Sequence, residues 1–169
     1  VGGLTAIGTY FAGTIRQGTV FGTPASGYRA NTTGEYGPLN AFILVDSNNQ
    51  PRFPPRDGTE GTPEAMTANE VRTIIRNALT IAFRARAQIR RPLGDHAHVT
   101  ISVVDTNGAI VGLARTPDGP VFGTDVSLQK ARTAAFFSNR NAANELIAGN
   151  LGNYVLQARS ALGPTALSD

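Results

Sequence analysis

The chain of 169 residues has no cysteine, no tryptophan, one methionine, two histidines and a single lysine. Without cysteine there is no disulfide, no zinc finger, no iron–sulfur ligation, no c-type haem attachment and no thiol nucleophile. That absence fits an oxidising and a reducing compartment equally. No apolar run approaches the ~20 residues that span a bilayer as a helix. Charge is also scarce: charged residues are 16% of the chain, and the net charge is only +3. The fourteen arginines are scattered from Arg16 to Arg159. The densest group, residues 84–91, has only Phe83 beside it, so the stripe of cations and stacking rings that nucleic acid requires is missing. These arginines read as solvated helix faces. The opening Val1-Gly2-Gly3-Leu4 carries no initiator methionine and no leader pattern, and reads as a mature N-terminus or the start of a fragment.

A chain of this length corresponds to about one domain of ~150 residues and can bury roughly 70% of the surface its unfolded form exposes. Composition shifts near residue 66, because 11 of the 19 glycines and six of the ten prolines precede it. Residues 1–66 are therefore expected to be a loop-rich N-terminal extension, with residues 14–37 an irregular arm and one strand near residues 39–46 (LNAFILVD). Pro51, Pro54 and Pro55 exclude helix and central strand, which leaves residues 52–63 as an extended surface connection.

Residues 67–169 are more regular. Thr67-Ala-Asn-Glu70 is a capping box, followed by Val71, Ile74, Ile75, Ala78, Leu79, Ala82 and Phe83 on one helical face, with Pro92 and Gly94 as the expected stop. Residues 98–105 (HVTISVVD) and 109–115 (AIVGLAR) flank Asn107-Gly108. This predicts a hairpin with a type I′ turn. Thr116-Pro-Asp-Gly-Pro120 is a second turn. Thr124 or Asp125 can cap a helix reaching about Ser138. Further helix is expected over residues 141–148 and 154–162, ended by Gly149 and by Gly163-Pro164. The class is α/β in the α+β sense, an antiparallel sheet packed with helices.

The opening of the first helix (Met66 to Val71), the VVD strand ending at Asp105 with Asn107-Gly108, Arg115 before Asp118-Gly119, and Leu128-Gln-Lys130-Ala131-Arg132-Thr133-Ala134-Ala135-Phe136 together resemble the GlcG/HbpS-like haem-binding family, whose domain also closes PduO-type proteins. The likeness spans residues 66–138. It implies a profilin-like fold, homo-oligomeric assembly and a haem or tetrapyrrole cofactor. Family members close with a Gly-rich strand and an acidic helix, and nothing after Ala148 resembles these. Val1-Gly2-Gly3-Leu4 alone echoes that strand, at the opposite end. The resemblance therefore predicts either a truncated chain or a second polypeptide that supplies the strand, since an open sheet edge would otherwise stay exposed.

The resemblance places the helix carrying Lys130, Arg132 and Thr133 along a ligand cleft, where they could meet haem propionates while Phe136 or Phe137 lies against the ring. Arg115, with Asp118 or Asp125, could line the same cleft. The blander alternative makes Lys130 an amphipathic surface residue, Thr133 a packed helix residue and Arg115 half of a surface ion pair worth at most ~1 kcal/mol. His96 and His98, two apart in an extended segment, could share one metal, or one could ligate haem iron. Asp95 is the nearest third ligand. Following Gly94-Asp95, the pair is expected in a solvent-facing loop. No GxSxG elbow, P-loop, GxGxxG or HExxH is present. The expected function is a haem-binding or sensing module in an oligomer. The alternatives are a ligand-free assembly subunit and an enzyme acting on haem or a small molecule.

Overall fold

The computed structural model describes residues 17–86 and 91–167. The Val1-Gly2-Gly3-Leu4 echo, residues 14–16 of the arm and Arg90 lie outside the described residues. After a short 3-10 turn at Pro24–Ser26 come β1 (Tyr28–Ala30), β2 (Phe42–Leu44), α1 (Ala68–Arg84), β3 (Thr100–Val104), β4 (Ile110–Arg115), α2 (Gly123–Phe137), α3 (Ala142–Ala148) and α4 (Gly152–Leu162). The four strands form one antiparallel sheet in the order β1-β2-β4-β3. This is the α+β arrangement of sheet and helices that the sequence predicts.

The helix α1 begins where its capping box dictates. Thr67 accepts from the Glu70 N–H, and the Glu70 carboxylate accepts from the Thr67 N–H at 2.8 Å. Its buried Val71, Ile75 and Leu79 join Tyr36, Ala41, Ile43, Val45, Val111 and Ala114 in one core. Residues on both sides of position 66 thus share a sheet and a core. A Cβ at Gly112 would lie 2.7 Å from both Ile75 Cδ1 and Val71 Cγ1, so α1 rides directly on the β4 backbone. The helix stops at Arg84, well short of Pro92. A tertiary pairing wins there: Arg86 bridges His96, and the Ala97 N–H donates to the Ala82 carbonyl at 3.2 Å.

Two proline-flanking groups pair with the part of β4 that β2, which meets it at Phe42 and Arg115, leaves unpaired on that side. The Arg56 N–H donates to the Val111 carbonyl at 2.9 Å, and the Leu113 N–H donates to the Phe53 carbonyl at 3.2 Å. Pro54 and Pro55, which have no N–H to place, fall between them.

The hairpin turn departs from the expected type I′. Only Gly108 has a left-handed φ, at 75°. The Gly108 N–H donates to the Asp105 carbonyl at 3.0 Å and the Asp105 N–H to the Ala109 carbonyl at 3.1 Å, which is a three-residue loop with a glycine bulge. The Asp105 carboxylate selects it by accepting the Ala109 N–H at 2.8 Å.

Alternation along β3 sends Ile101 and Val103 to the α1 core and Thr100 and Ser102 to α2. Ser102 Oγ and Ser127 Oγ meet at 2.7 Å. The cap of α2 differs from expectation: the helix starts at Gly123 after Phe122, with no side-chain cap from Thr124 or Asp125. The last helix likewise starts at Gly152, before Tyr154.

Candidate functional site

Antiparallel register pairs Arg115 with Thr100. Cross-strand partners share a face, so Arg115 lies on the α2 side, at the far end of β4 from the Asn107-Gly108 turn. Its guanidinium carbon is 4.6 Å from the Tyr28 ring centroid and 5.3 Å from that of Phe21. On another flank, a Cβ at Gly119 would sit 3.2 Å from Arg115 Nη2 and 3.3 Å from the Val99 carbonyl, so the residue 116–120 turn closes against it. Arg115 is fully buried, and among the described residues no acceptor meets its Nε, Nη1 or Nη2 in good hydrogen-bond geometry. Burial pushes its pKa down, partly offset by the Tyr28 hydroxyl, which acts on it by charge and by hydrogen bonding, and by Asp118. An arginine still stays charged. The surface ion pair anticipated for Arg115 is replaced by a buried cation that has donors to spare. Nearby, Thr100 Oγ1 also lacks a partner. Tyr28 Oη lies 3.4 Å from Thr124 Oγ1 at the start of α2.

The segment from Asp95 to His98 reaches the same end through Thr116. The Thr116 hydroxyl donates to the Ala97 carbonyl at 2.9 Å and accepts the Val99 N–H at 2.9 Å. The histidines are not solvent-facing, as their side chains are 26% and 10% exposed. His96 packs on Phe83 with ring centroids 4.9 Å apart and on His98 at 4.8 Å. Asp95 Oδ1 is 3.1 Å from His96 Nδ1, and Asp95 Oδ2 is 3.1 Å from His98 Nε2. Asp118 Oδ2 stands 3.7 Å behind His98 Nδ1.

The other end of the hairpin holds a cleft in two adjoining lobes of about 670 and 630 Å³. Arg132 and Phe136 line it, and Arg132 Nε donates to the Gly108 carbonyl at 2.9 Å. Lys130 and Thr133 are exposed on α2, where the Thr133 hydroxyl bonds back to the Gln129 carbonyl at 2.9 Å. Phe137 is half exposed, edge-on to Phe136. The single cleft expected to hold Arg115 beside the α2 residues is therefore divided, because β4 separates Arg115 from Gly108 by its whole length.

Charge distinguishes the two ends. Four carboxylates line the cleft (Glu60, Glu64, Asp105 and Glu145) against Arg132 and Arg140. Burial alone would raise the Asp105 pKa, but donors from Thr59 and Ala109 hold it below its ordinary value. The backbone N–H of Thr106 lowers that of Glu60 in the same way. The cleft thus carries more carboxylates than cations, whereas the Arg115 end is centred on a buried cation with Asp118 beside it. Sequence reasoning missed Phe21, Tyr28 and Thr100. The aromatic residues of the arm were the available signal, but no local spacing ties them to Arg115.

The sequence profile of the family described as haem degrading protein HbpS-like matches residues 75–167, from within α1 through α4. The likeness thus continues past Ser138 into the stretch whose closing motifs differ. No curated protein and no solved structure matches the chain. Among the described residues no helix is long and apolar enough to cross a membrane. The profile covers more than half of the chain, including the hairpin and helices that form both ends just described, and the chain belongs to the HbpS-like family.

Proposed function

We propose that this chain binds haem or a related tetrapyrrole at the Arg115 end of the sheet, as a binding or sensing module in an oligomer. The observation that carries the reading is the buried guanidinium, for which no acceptor among the described residues stands in good hydrogen-bond geometry. An unpaired buried cation is costly, and a propionate-type carboxylate is the group whose geometry its fork matches. Val99, Val121 and Phe122, on the segments flanking Arg115, supply exposed apolar surface for a ring system. Access runs past Phe21, which lies over the guanidinium and is 41% exposed. Haem, when bound, brings its own redox chemistry. The residues here bind a carboxylate, shield it from water and fix its position.

Exposed Ile147, Leu151, Tyr154, Leu156 and Leu162 on and between α3 and α4 support assembly with further copies. The same surface also suits the alternative reading as an assembly subunit. Hemin titration followed by the Soret band separates the two. Saturable binding that weakens at least tenfold in Arg115→Met but not in Arg132→Ala is the expected result. No saturable shift overturns haem binding, and loss confined to Arg132→Ala moves the ligand to the other cleft. A reductant-dependent loss of the Soret band with release of an open tetrapyrrole would extend the reading to degradation.

A further inference from the structure

We infer that Asp95, His96 and His98 form a binding site for a divalent first-row transition metal ion. One candidate donor atom from each of the three residues lies within 4.8 Å of the others. The two imidazole-to-carboxylate separations are both 3.1 Å. In a tetrahedral site with bonds of ~2.0–2.1 Å, donor atoms stand ~3.3 Å apart, so an ion is held once any separation near the 4.8 Å limit closes by up to ~1.5 Å through side-chain rotation. Two imidazoles and one carboxylate suit a borderline ion rather than magnesium or calcium, which prefer all-oxygen shells.

The surroundings are those of a prepared site. The His98 side chain is 10% exposed, and its Nδ1 has no hydrogen-bond partner. With Nε2 turned to the shared centre, Nδ1 has the exposed Asp118 carboxylate 3.7 Å away, beyond hydrogen-bond range but near enough to take up the place of a carboxylate behind a ligating ring after a small side-chain rotation. His96 is held by Phe83 and by the bridge from its backbone to Arg86. The Asp95 carboxylate accepts the His96 N–H at 2.8 Å, which keeps it over the two rings. Three ligands leave at least one position open, as in catalytic rather than structural sites.

This arrangement differs from axial ligation of haem, in which only one of the two histidines would serve. A porphyrin iron offers one axial position on each face, whereas these donors converge from one side onto one point. The metal site therefore stands independently of the Arg115 reading.

Cobalt(II) titration of tag-free protein without hemin, read by the visible d–d bands and followed by zinc(II) displacement, tests the site. One equivalent is expected to bind, with affinity falling at least tenfold in Asp95→Asn and in His98→Ala. Arg115→Met should titrate like the parent. His96→Gln, which keeps a polar side chain of similar reach, guards against misfolding: its thermal melt without metal should match the parent while its cobalt affinity falls. Absence of a saturable one-to-one phase, or unchanged affinity in both His98→Ala and Asp95→Asn, overturns the assignment.

Discussion

Arg115→Met should make the protein more stable. The guanidinium is fully buried, and among the described residues no acceptor meets its three nitrogens in good hydrogen-bond geometry, with only the Tyr28 hydroxyl offsetting the burial beside Asp118. Removing an ion of this kind from water costs several kcal/mol even after relaxation. The compensation visible here is its contact with the Tyr28 and Phe21 rings at 4.6 and 5.3 Å, each worth about 0.5–2 kcal/mol. Methionine has a similar reach, no charge to bury, and a sulfur that gains about 0.3–1.5 kcal/mol against an aromatic ring. Replacing buried ionic groups with apolar ones of similar volume typically stabilises by about 1–4 kcal/mol, and a net gain of about 1–3 kcal/mol is expected here. At about 2–4 °C per kcal/mol for a chain of this size, the melting temperature should rise by roughly 2–12 °C. Urea unfolding is the assay, with an unchanged slope showing that the unfolded state is the same. A variant less stable than the parent by 1 kcal/mol or more would mean that Arg115 is a structural cation, and the argument for a missing anionic partner would fail.

Three further expectations concern the scaffold. Gly112→Ala pushes a methyl group to 2.7 Å from Ile75 and Val71. Overpacking of about 1–3 kcal/mol outweighs the ~0.5–1 kcal/mol gained by replacing glycine. A denaturation midpoint at or above the parent's would contradict the close approach of α1 to β4. Asp105→Asn turns one of the two buried carboxylate oxygens, which accept from Thr59 and from Ala109, into an NH2 that faces a donor, and should cost about 2–3 kcal/mol at neutral pH. The Asp105 pKa is lower folded than unfolded, so its stabilisation is present above the unfolded value of about 3.9 and is lost as pH falls from there through the folded value. The difference between parent and Asp105→Asn should therefore narrow below about pH 4, and parallel pH profiles would refute the role of Asp105. Tyr36→Phe deletes a buried hydroxyl that has no hydrogen-bond partner among the described residues. Its chemical denaturation should show stability unchanged or raised by up to about 1 kcal/mol, and a clear loss would reveal a partner for the hydroxyl.

What the sequence reveals is what short-range chemistry decides. The capping box at Thr67 and Glu70, the apolar stripe of α1 and the hairpin around Asn107-Gly108 depend on neighbours in the chain, and all appear in the fold. Long-range competition decides the rest. The helix α1 ends early because residues 96–98 bridge back to it, and the turn changes type because the Asp105 carboxylate takes a nearby N–H. The local sequence after Gly94-Asp95 suggests exposed histidines, but Phe83 packs on His96 and Thr116 ties down the intervening Ala97 backbone, both from distant positions. Arg115 and Arg132 each carried a signal of their own. Their separation by the length of β4 follows only from the register of the hairpin against α2.

The central claim, that a ligand carboxylate meets Arg115, is tested most directly by a coupling measurement. Affinities of parent and Arg115→Met are measured for hemin and for its dimethyl ester, which lacks ionisable propionates. The account predicts that the parent prefers hemin by at least tenfold and that Arg115→Met loses this preference, giving a coupling of about 1.4 kcal/mol or more. Equal discrimination by both proteins, or none by the parent, would contradict it.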